Sequence, residues 1–543
     1  MAKIIFSRKE FEKRIKLSKD VEEKISLFGT HLESINENEI ELEILPNRPD
    51  LFSFEGFMRS FSAFLGKNTG LRKYKVNSPD KNFKVKIEPS VKNVRPFTVC
   101  AIVKNLHFDD TKIKEMIDLQ EKLHTTIGRN RKKIAIGIYP LEKIKLPIRY
   151  LAENPEKIKF IPLEADREMS GIQILQKHPT GKEYAYLLEK YDKFPVFIDA
   201  NDKILSMPPI INSHETGKVT NQTKEVFVEC SGWHFDTLKK VLNIIVTTLA
   251  DMGGKIYSME LNYDKEKLVS PDLSPIKMKI SVENINKLLG LELKDQDLKK
   301  LLPRMSFDYT KNKVSIPAWR TDILHEVDIA EDVAIAYGYD KLIPVLPNIF
   351  TVGEESKKEK FKRKIAEIII GLGLLELSSY HLIKKEEAKL MKVACLEVLD
   401  SKSEYKMLRP NLLVPTLRIL SENKDNEYPQ RTFELGKVFS LDKEGKSETK
   451  VKESEKLIIA SCPDNFTGIK QILNYLMSSL EISYKLKEVI HPNLIEGRAG
   501  EITINDKVIG YIGEVNPETL KNWGIKMPFG VLEISLEEIF KFD

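Results

Sequence analysis

Apolar positions follow two rhythms along this chain, and each change of rhythm marks out a part. In SRKEFEKRIKLSKDVEEKISLFG, residues 7–29, Ser7 stands three residues before Glu10, and Phe11, Ile15 and Leu17 follow at helical intervals. That pattern predicts a capped amphipathic helix. IELEIL, residues 40–45, alternates as far as Ile44 and predicts a short strand. SFEGFMRSFSAFLG, residues 53–66, returns to helical spacing and stops at Gly66, which suits the left-handed turn past a helix end. A small N-terminal α/β unit over residues 1–78 is the expectation.

Between residues 79 and 266 strand patterns recur: FKVKIEP (83–89), FTVCAIVKNL (97–106), KKIAIGIYPL (132–141), FPVFIDA (194–200) and EVFVECSG (225–232). They close on the amphipathic stretch FDTLKKVLNIIVTTLADMGG, residues 235–254, giving an α+β domain. LVSPDLSPIK, residues 268–277, carries two Ser-Pro turn signals and reads as a linker. A helical unit over 270–346 follows, with SVENINKLLGLELKDQDLKKLLPRM and AWRTDILHEVDIAEDVAIAYGYD as its main segments. The basic run KKEKFKRK, residues 357–364, marks the next boundary, and strands alternate with helices over 355–543. The fold class is therefore multidomain α+β.

Composition narrows the function more than the fold. At 543 residues the chain exceeds the roughly 250–300 residues that one core supports. Hydrophobic residues at 41% and charged residues at 31% make an ordinary globular balance. Lys plus Arg number 86 against 81 Asp plus Glu, so attraction to nucleic acid has to come from local patches. Cys100, Cys230, Cys395 and Cys462 never approach CxxC spacing, which predicts reduced thiols in place of a zinc knuckle or disulfide framework. The apolar run IIIGLGLLEL, residues 368–377, is about half a membrane span, and MAKIIFSRKE has no signal-peptide core, so a soluble cytoplasmic protein is expected.

Two stretches concentrate charge in rigid or periodic settings. EILPNRPDLF, residues 43–52, brackets Asn47 and Arg48 between prolines that fix their own φ and push the preceding residue toward extended backbone. In WRTDILHEVDIAEDVAIAYGYD a helix is expected from near Asp328 to Gly338. Asp328, Glu331 and Asp332 then stack at i, i+3 and i+4, with Asp322 just upstream. Such oxygen ligands suit Mg²⁺. The plainer reading is that acids in a first helical turn complement the helix dipole on a solvated face.

Five collinear stretches carry a resemblance: EILPNRPDLFSFEG (43–56), LHTTIGRNRKKIAIGIYPLEKI (123–144), LSMPPIINSHETGKVTNQTKEVFVECSG (205–232), PAWRTDILHEVDIAEDVAIAYGYD (317–340) and FELGKVF (433–439). Together they resemble the β subunit of phenylalanyl-tRNA synthetase of the shorter archaeal and eukaryotic type. The resemblance implies a B3/B4-type editing domain over 79–266, a B5-type, winged-helix-like domain over 270–346, and a class II catalytic-like antiparallel sheet domain over 355–543. It implies an α partner in a heterotetramer of two α and two β chains, with phenylalanine activated by ATP on α. This chain then supplies structure, tRNA(Phe) binding and editing of Tyr-tRNA(Phe). RTFELG (431–436) and IEGRAGE (495–501) are degenerate beside a working class II site, and no HIGH-type or KMSKS-type motif of class I occurs.

Editing follows from discrimination chemistry. An apolar pocket rejects an added hydroxyl only about a hundredfold, so accurate charging calls for a second site with polar groups that recognise the hydroxyl. The resemblance puts Ser206, Asn212, Glu229 and Ser231 in that pocket, with Phe197 as an apolar wall. The family pattern has Asp and Thr where Glu229 and Ser231 stand. Alternation in EVFVECSG turns Glu229 and Ser231 to one face. Without the resemblance, the serines read as strand-end hydroxyls satisfying backbone groups and Glu229 as an exposed strand residue. His124 and the basic run at Arg129, Arg131 and Lys132 would meet phosphates of the tRNA acceptor end; a basic pentapeptide is otherwise a solvated patch. Asn47 and Arg48 are expected to pin the first unit against the editing domain, and Trp319 and Arg320 to brace the acidic helix. A freestanding aminoacyl-tRNA deacylase and a non-catalytic RNA-binding scaffold are the competing functions.

Overall fold

Alternation near the N-terminus builds a three-stranded antiparallel sheet, in the order Ala2–Ser7, Glu39–Ile44, His31–Ile35, in a computed structural model that describes residues 2–540 except 265, 350, 400 and 446. Ala2, Ile4, Phe6, Ile40, Leu42 and Ile44 are its buried positions. They join the aromatic face of the helix Phe54–Phe64, where Phe6 and Phe57 have ring centroids 5.3 Å apart and Phe57 stacks on Phe61 at 5.2 Å. Each such ring contributes about 1.5–3 kcal/mol on leaving water. The expected single helix over 7–29 is instead two, Arg8–Glu12 and Lys19–Leu27. Ser18 caps the second by accepting the Val21 N–H, and the break lets Phe11 and Ile25 reach one core from different directions.

The five strand patterns of the middle region all form strands and enter one mixed sheet. Val226–Gly232 runs antiparallel between Phe97–Lys104 and Ile134–Pro140, so Glu229 lies opposite Cys100 on one side and Gly137 on the other. At the sheet's far end Tyr150, Phe197, Ser206 and Asn212 are consecutive cross-strand partners and share a face. The helix Phe235–Asp251 is buried nearly all round. Ser53 Oγ stands 3.4 Å from its Thr248 Oγ1, and the Asn243 amide donates to the Asp272 carbonyl at 2.9 Å. Residues 268–270 of the expected linker belong to an edge strand, Lys267–Ser270, tied down by the Cys100 N–H donating to Ser270 Oγ at 3.0 Å.

Residues 276–337 combine the helices Val282–Leu289, Asp295–Arg304 and Glu326–Tyr337 with a three-stranded sheet ordered Ile276–Lys279, Lys313–Ile316, Asp308–Thr310. One continuous apolar core runs from Ala2 to Ala336, so everything up to residue 346 packs as one compact unit.

The second unit, residues 347–543, is built on a seven-stranded sheet ordered Leu375–Glu376, Gln430–Leu441, Val451–Cys462, Gly530–Ser535, Lys507–Val515, Leu494–Ile504, Lys485–Glu488. It is antiparallel except at its first pair. The helices Lys357–Ile370 and Phe466–Ser479 bury Ile365, Ile369, Ile469 and Leu473 against Leu457 and Leu532. Leu413, Leu417 and Trp523 belong to a separate core with Ile458 and Val531. The basic run at 357–364 is the start of a helix whose Lys358 pairs with Glu455 at 3.1 Å. Among the described residues no helix is long and apolar enough to cross a membrane.

Candidate functional site

A cavity of about 540 Å³ opens between the helix Asp110–Thr125 and the middle sheet, within the range of small-molecule sites. Ser206, Asn212 and Glu229, from three strands, border it, and Met116, Ile136, Pro208 and Ile210 supply apolar wall. The three polar residues share one neighbour. Tyr139 donates its hydroxyl to Ser206 Oγ at 2.7 Å, and the same oxygen lies 3.2 Å from Glu229 Oε1 and 3.3 Å from Asn212 Oδ1. Burial pushes the Glu229 carboxyl up to about 8, with the Arg95 charge pulling the other way. Its Oε2 is buried and has no hydrogen-bond partner among the described residues.

The remaining pocket candidates lie apart from the cavity wall. Phe197 is fully buried, with its ring stacked on Tyr150 at 4.3 Å, so it supports the row behind Ser206 and adds no wall. Ser231 faces the same side of its strand as Glu229, but Arg95 takes it: Nε donates to Ser231 Oγ at 3.1 Å and Nη2 to its carbonyl at 2.7 Å.

The basic run divides. Ile136 donates its N–H to His124 Nε2 at 2.8 Å, so the ring proton is on Nδ1, facing Glu121 Oε1 at 3.1 Å. Burial lowers the His124 pKa, and the ring is a neutral wall element with no free face for phosphate. Arg131 is also engaged, donating to Glu121 Oε1 at 2.9 Å and to the Ile210 carbonyl at 2.8 Å, with its guanidinium over the Tyr184 ring. Arg129 and Lys132 are exposed. Arg129, Asn130 and Arg131 all adopt positive φ, an uncommon run for residues with a Cβ, and it turns Arg129 out while Arg131 points in.

The acidic helix starts at Glu326, two residues before the expected Asp328, and this changes what each acid does. Asp328 Oδ2 accepts the N–H groups of Leu324 and His325, both at 2.7 Å, as a cap. Arg320 Nη2 donates to Asp322 Oδ2 at 2.7 Å and to Asp332 Oδ2 at 2.6 Å. Glu331 faces solvent. Asp322, Asp328, Glu331 and Asp332 thus make no common ligand set for Mg²⁺, and among the described residues no three His, Cys, Asp or Glu side chains stand close enough to hold an ion. Arg320 braces this helix as expected, while Trp319 packs edge-on against Tyr74, ring centroids 5.3 Å apart, with the Arg59 guanidinium over its ring. In the proline turn Arg48 forks onto its own Asp50, Nε and Nη2 each donating at 2.9 Å, and lies over the Phe28 ring. Its charge bears on Asp322 and Asp332, so Arg48 serves the acidic helix.

Tyr139, Glu121 and Arg95 organise this region and were not singled out from sequence. One local signal was present: a glycine inside a strand pattern, Gly137 in IAIGIYP, marks a close approach by another group.

Comparison with known proteins gives the class first. Residues 278–339 match the tRNA synthetase B5 domain, and residues 343–536 match the phenylalanyl-tRNA synthetase β chain CLM domain. This is a subunit of an aminoacyl-tRNA synthetase. The phenylalanine–tRNA ligase β subunit of Thermococcus sibiricus is 38% identical over 91% of this chain and 90% of that one. That of Archaeoglobus fulgidus is 35% identical over 98% of this chain and 97% of that one. A crystal structure of an N-terminal fragment of the phenylalanyl-tRNA synthetase β subunit from Pyrococcus horikoshii superposes with a TM-score of 0.59 at 39% identity, covering 62% of this chain and 99% of the fragment. The chain belongs to the family of phenylalanine–tRNA ligase β subunits. Membership sets aside the freestanding deacylase and the RNA-binding scaffold as readings of the whole chain.

Proposed function

We propose that this chain works in a heterotetramer of two α and two β chains, where α activates phenylalanine with ATP and this chain binds tRNA(Phe) and hydrolyses Tyr-tRNA(Phe) in the cavity beside Glu229. The carrying observation is the convergence of Ser206, Asn212 and Glu229 on one edge of a cavity of about 540 Å³, with Glu229 Oε2 unpartnered. A site built around buried polar groups rejects a ligand lacking the matching hydroxyl by far more than an apolar slot does, because those groups are then left unsatisfied. Phenylalanine esters would leave Glu229 Oε2 unpaired, and tyrosine esters would satisfy it.

On this reading residues 79–266 are a B3/B4-type editing domain and 270–346 a winged-helix-like B5 domain. Residues 355–543 are a class II catalytic-like domain that no longer grips nucleotide and packs against α. Two pairings support the loss of nucleotide chemistry. Glu434 of RTFELG accepts from Arg409 Nη1 at 2.8 Å and from the Ser379 hydroxyl at 2.6 Å, and Arg498 of IEGRAGE pairs with Glu514 at 3.1 Å. Exposed Arg129 and Lys132 are the phosphate contacts for tRNA, and the protein works in the cytoplasm.

The test uses the chain co-expressed with its α partner. Ser206→Ala or Asn212→Ala should raise the yield of Tyr-tRNA(Phe) while phenylalanine charging stays near the parent rate. An unchanged Tyr-tRNA(Phe) yield sinks the pocket assignment. Pyrophosphate exchange into ATP by the isolated β chain, given phenylalanine, would overturn the division of labour.

A further inference from the structure

Oε1 of Glu229 faces Tyr139 at 3.2 Å, and Oε2 is buried without a hydrogen-bond partner among the described residues, although the Ser231 hydroxyl bears on the same carboxyl. Tyr139 is fully buried and stands behind the cavity wall that Ser206, Asn212 and Glu229 form. Its ring folds back along its own strand over Gly137, the residue directly across from Glu229. A methyl group at 137 would run into the Tyr139 hydroxyl and Glu229 Oε1, so the glycine is what admits the phenol to this place.

Proton counting then constrains the array. A phenol has one proton to give, and three oxygens surround this one. Given to Ser206 along the shortest contact, 2.7 Å, that proton leaves Tyr139 Oη an acceptor. A protonated Glu229 Oε1 is then the donor at 3.2 Å, and its other oxygen becomes the carbonyl of a carboxylic acid, an acceptor without charge. An ionised Glu229 would instead take the phenol proton itself, with the Ser206 hydroxyl donating to Tyr139 Oη.

We propose that Tyr139 is the positioning residue of this pocket: its hydroxyl holds Glu229 through Oε1 as an uncharged acid, so that Oε2 is presented as the acceptor for a ligand hydroxyl. The proposal rests on the editing reading above for the identity of that ligand, and on the Tyr139–Glu229 geometry for the rest. Burial raises the Glu229 pKa to about 8, which agrees with a proton on the acid at neutral pH, whereas a phenol donating to the carboxyl would pull it down, and that difference in direction is what the Tyr139 variant reads. The other titratable groups that bear on Glu229 are Arg95, Cys100 on the paired strand, Cys230 next to it in sequence, and Tyr150. Of these Arg95 is the charged one, and burial holds the Cys100 thiol and the Tyr150 phenol protonated.

Tyr139→Phe, assembled with the α partner, removes one oxygen and keeps the ring in its notch. Its kcat/KM for Tyr-tRNA(Phe) hydrolysis should fall roughly ten- to a hundredfold, mainly through KM, as expected for a lost partner of a buried polar group. The alkaline limb of the pH profile should also move to lower pH, because the acid form of Glu229 has lost its acceptor. An unchanged KM and limb, or a limb moved upward as for a phenol that donates to a carboxylate, overturns the proposal. Infrared pH titration of the substrate-free complex, with Glu229→Gln assigning the carboxyl band, reads the same coupling without any editing activity. A protonated Glu229 band at pH 7 whose midpoint drops in Tyr139→Phe supports positioning, and absence of that band overturns it. Parent enzyme that hydrolyses no Tyr-tRNA(Phe) defeats the editing reading alone, with the infrared result still deciding the role of Tyr139.

Discussion

Arg320 and Asp332 face each other at 2.6 Å with both side chains almost wholly out of water. The same guanidinium forks onto Asp322, two residues on, as Arg48 forks onto Asp50 in the proline turn. Two Arg-x-Asp forks thus bear on one acidic helix from separate parts of the chain. Removing one member of a buried pair strands the other, which costs about 3–5 kcal/mol. Arg320→Ala, which strands both Asp322 and Asp332, should lower the stability of the N-terminal unit by that order in urea unfolding. Added Mg²⁺ should leave the parent midpoint unchanged, because Asp322 and Asp332 are committed to Arg320 and Asp328 to backbone N–H groups, which leaves Glu331 alone facing solvent. A midpoint that rises with Mg²⁺ would show a ligand set that this geometry lacks.

Glu229 makes stability depend on pH in a fixed direction. Its carboxyl is raised from 4.5 to about 8 by burial, so between those values the folded chain keeps a proton that the unfolded chain releases. The stabilisation is complete below pH 4.5 and is lost as pH rises toward about 8, at up to roughly 1.4 kcal/mol per pH unit. Glu229→Gln should flatten this part of the profile and be relatively more stable than the parent at pH 8 than at pH 5. Urea midpoints at four pH values decide it, and parallel profiles for the two proteins would contradict a neutral Glu229.

Side chains adjacent in sequence at 124–132 should separate in tRNA binding. Arg129→Ala and Lys132→Ala should each weaken tRNA affinity and reduce the salt slope by about one phosphate contact. His124→Ala leaves the Ile136 N–H buried without its acceptor, so it should cost about 1–3 kcal/mol of stability and leave the salt slope alone. Filter binding across a salt series, beside thermal unfolding, separates the two behaviours. A smaller slope in His124→Ala would place that imidazole on the tRNA.

Period and punctuation in the sequence located the parts whose signals are local. The two-residue side-chain period of a strand at 225–232 turned Glu229 and Ser231 to one face, and the structure keeps them there. It said nothing of what they meet, because Tyr139 and Arg95 arrive on segments 90 and 136 residues away. Ser231 is spent on Arg95 for that reason. The helical spacing of Asp328, Glu331 and Asp332 was equally sound, yet the helix begins at Glu326, and that small shift makes Asp328 a cap. His124 looked like part of a basic patch until a long-range backbone N–H claimed its Nε2. Local pattern constrains direction along a strand or helix, and only tertiary closure assigns partners.

Gly137 carries the sharpest consequence of that closure. Its φ lies outside the positive range, so an alanine there meets no backbone strain, and the obstacle is the Tyr139 phenol and the Glu229 carboxyl in the space a Cβ would fill. Overfilling a packed interior costs about 1–3 kcal/mol. Gly137→Ala should therefore destabilise the N-terminal unit by that order and, by displacing the phenol, reproduce the editing defect expected of Tyr139→Phe. The two positions share one volume, so their effects should not add. In a Tyr139→Ala background most of the penalty for Gly137→Ala should vanish, giving a coupling of about 0.5–3 kcal/mol in a double-mutant cycle. Urea unfolding of the four proteins measures it. Strict additivity would mean that the glycine is required by something other than the phenol lying over it, and the positioning role given to Tyr139 would lose its structural cause.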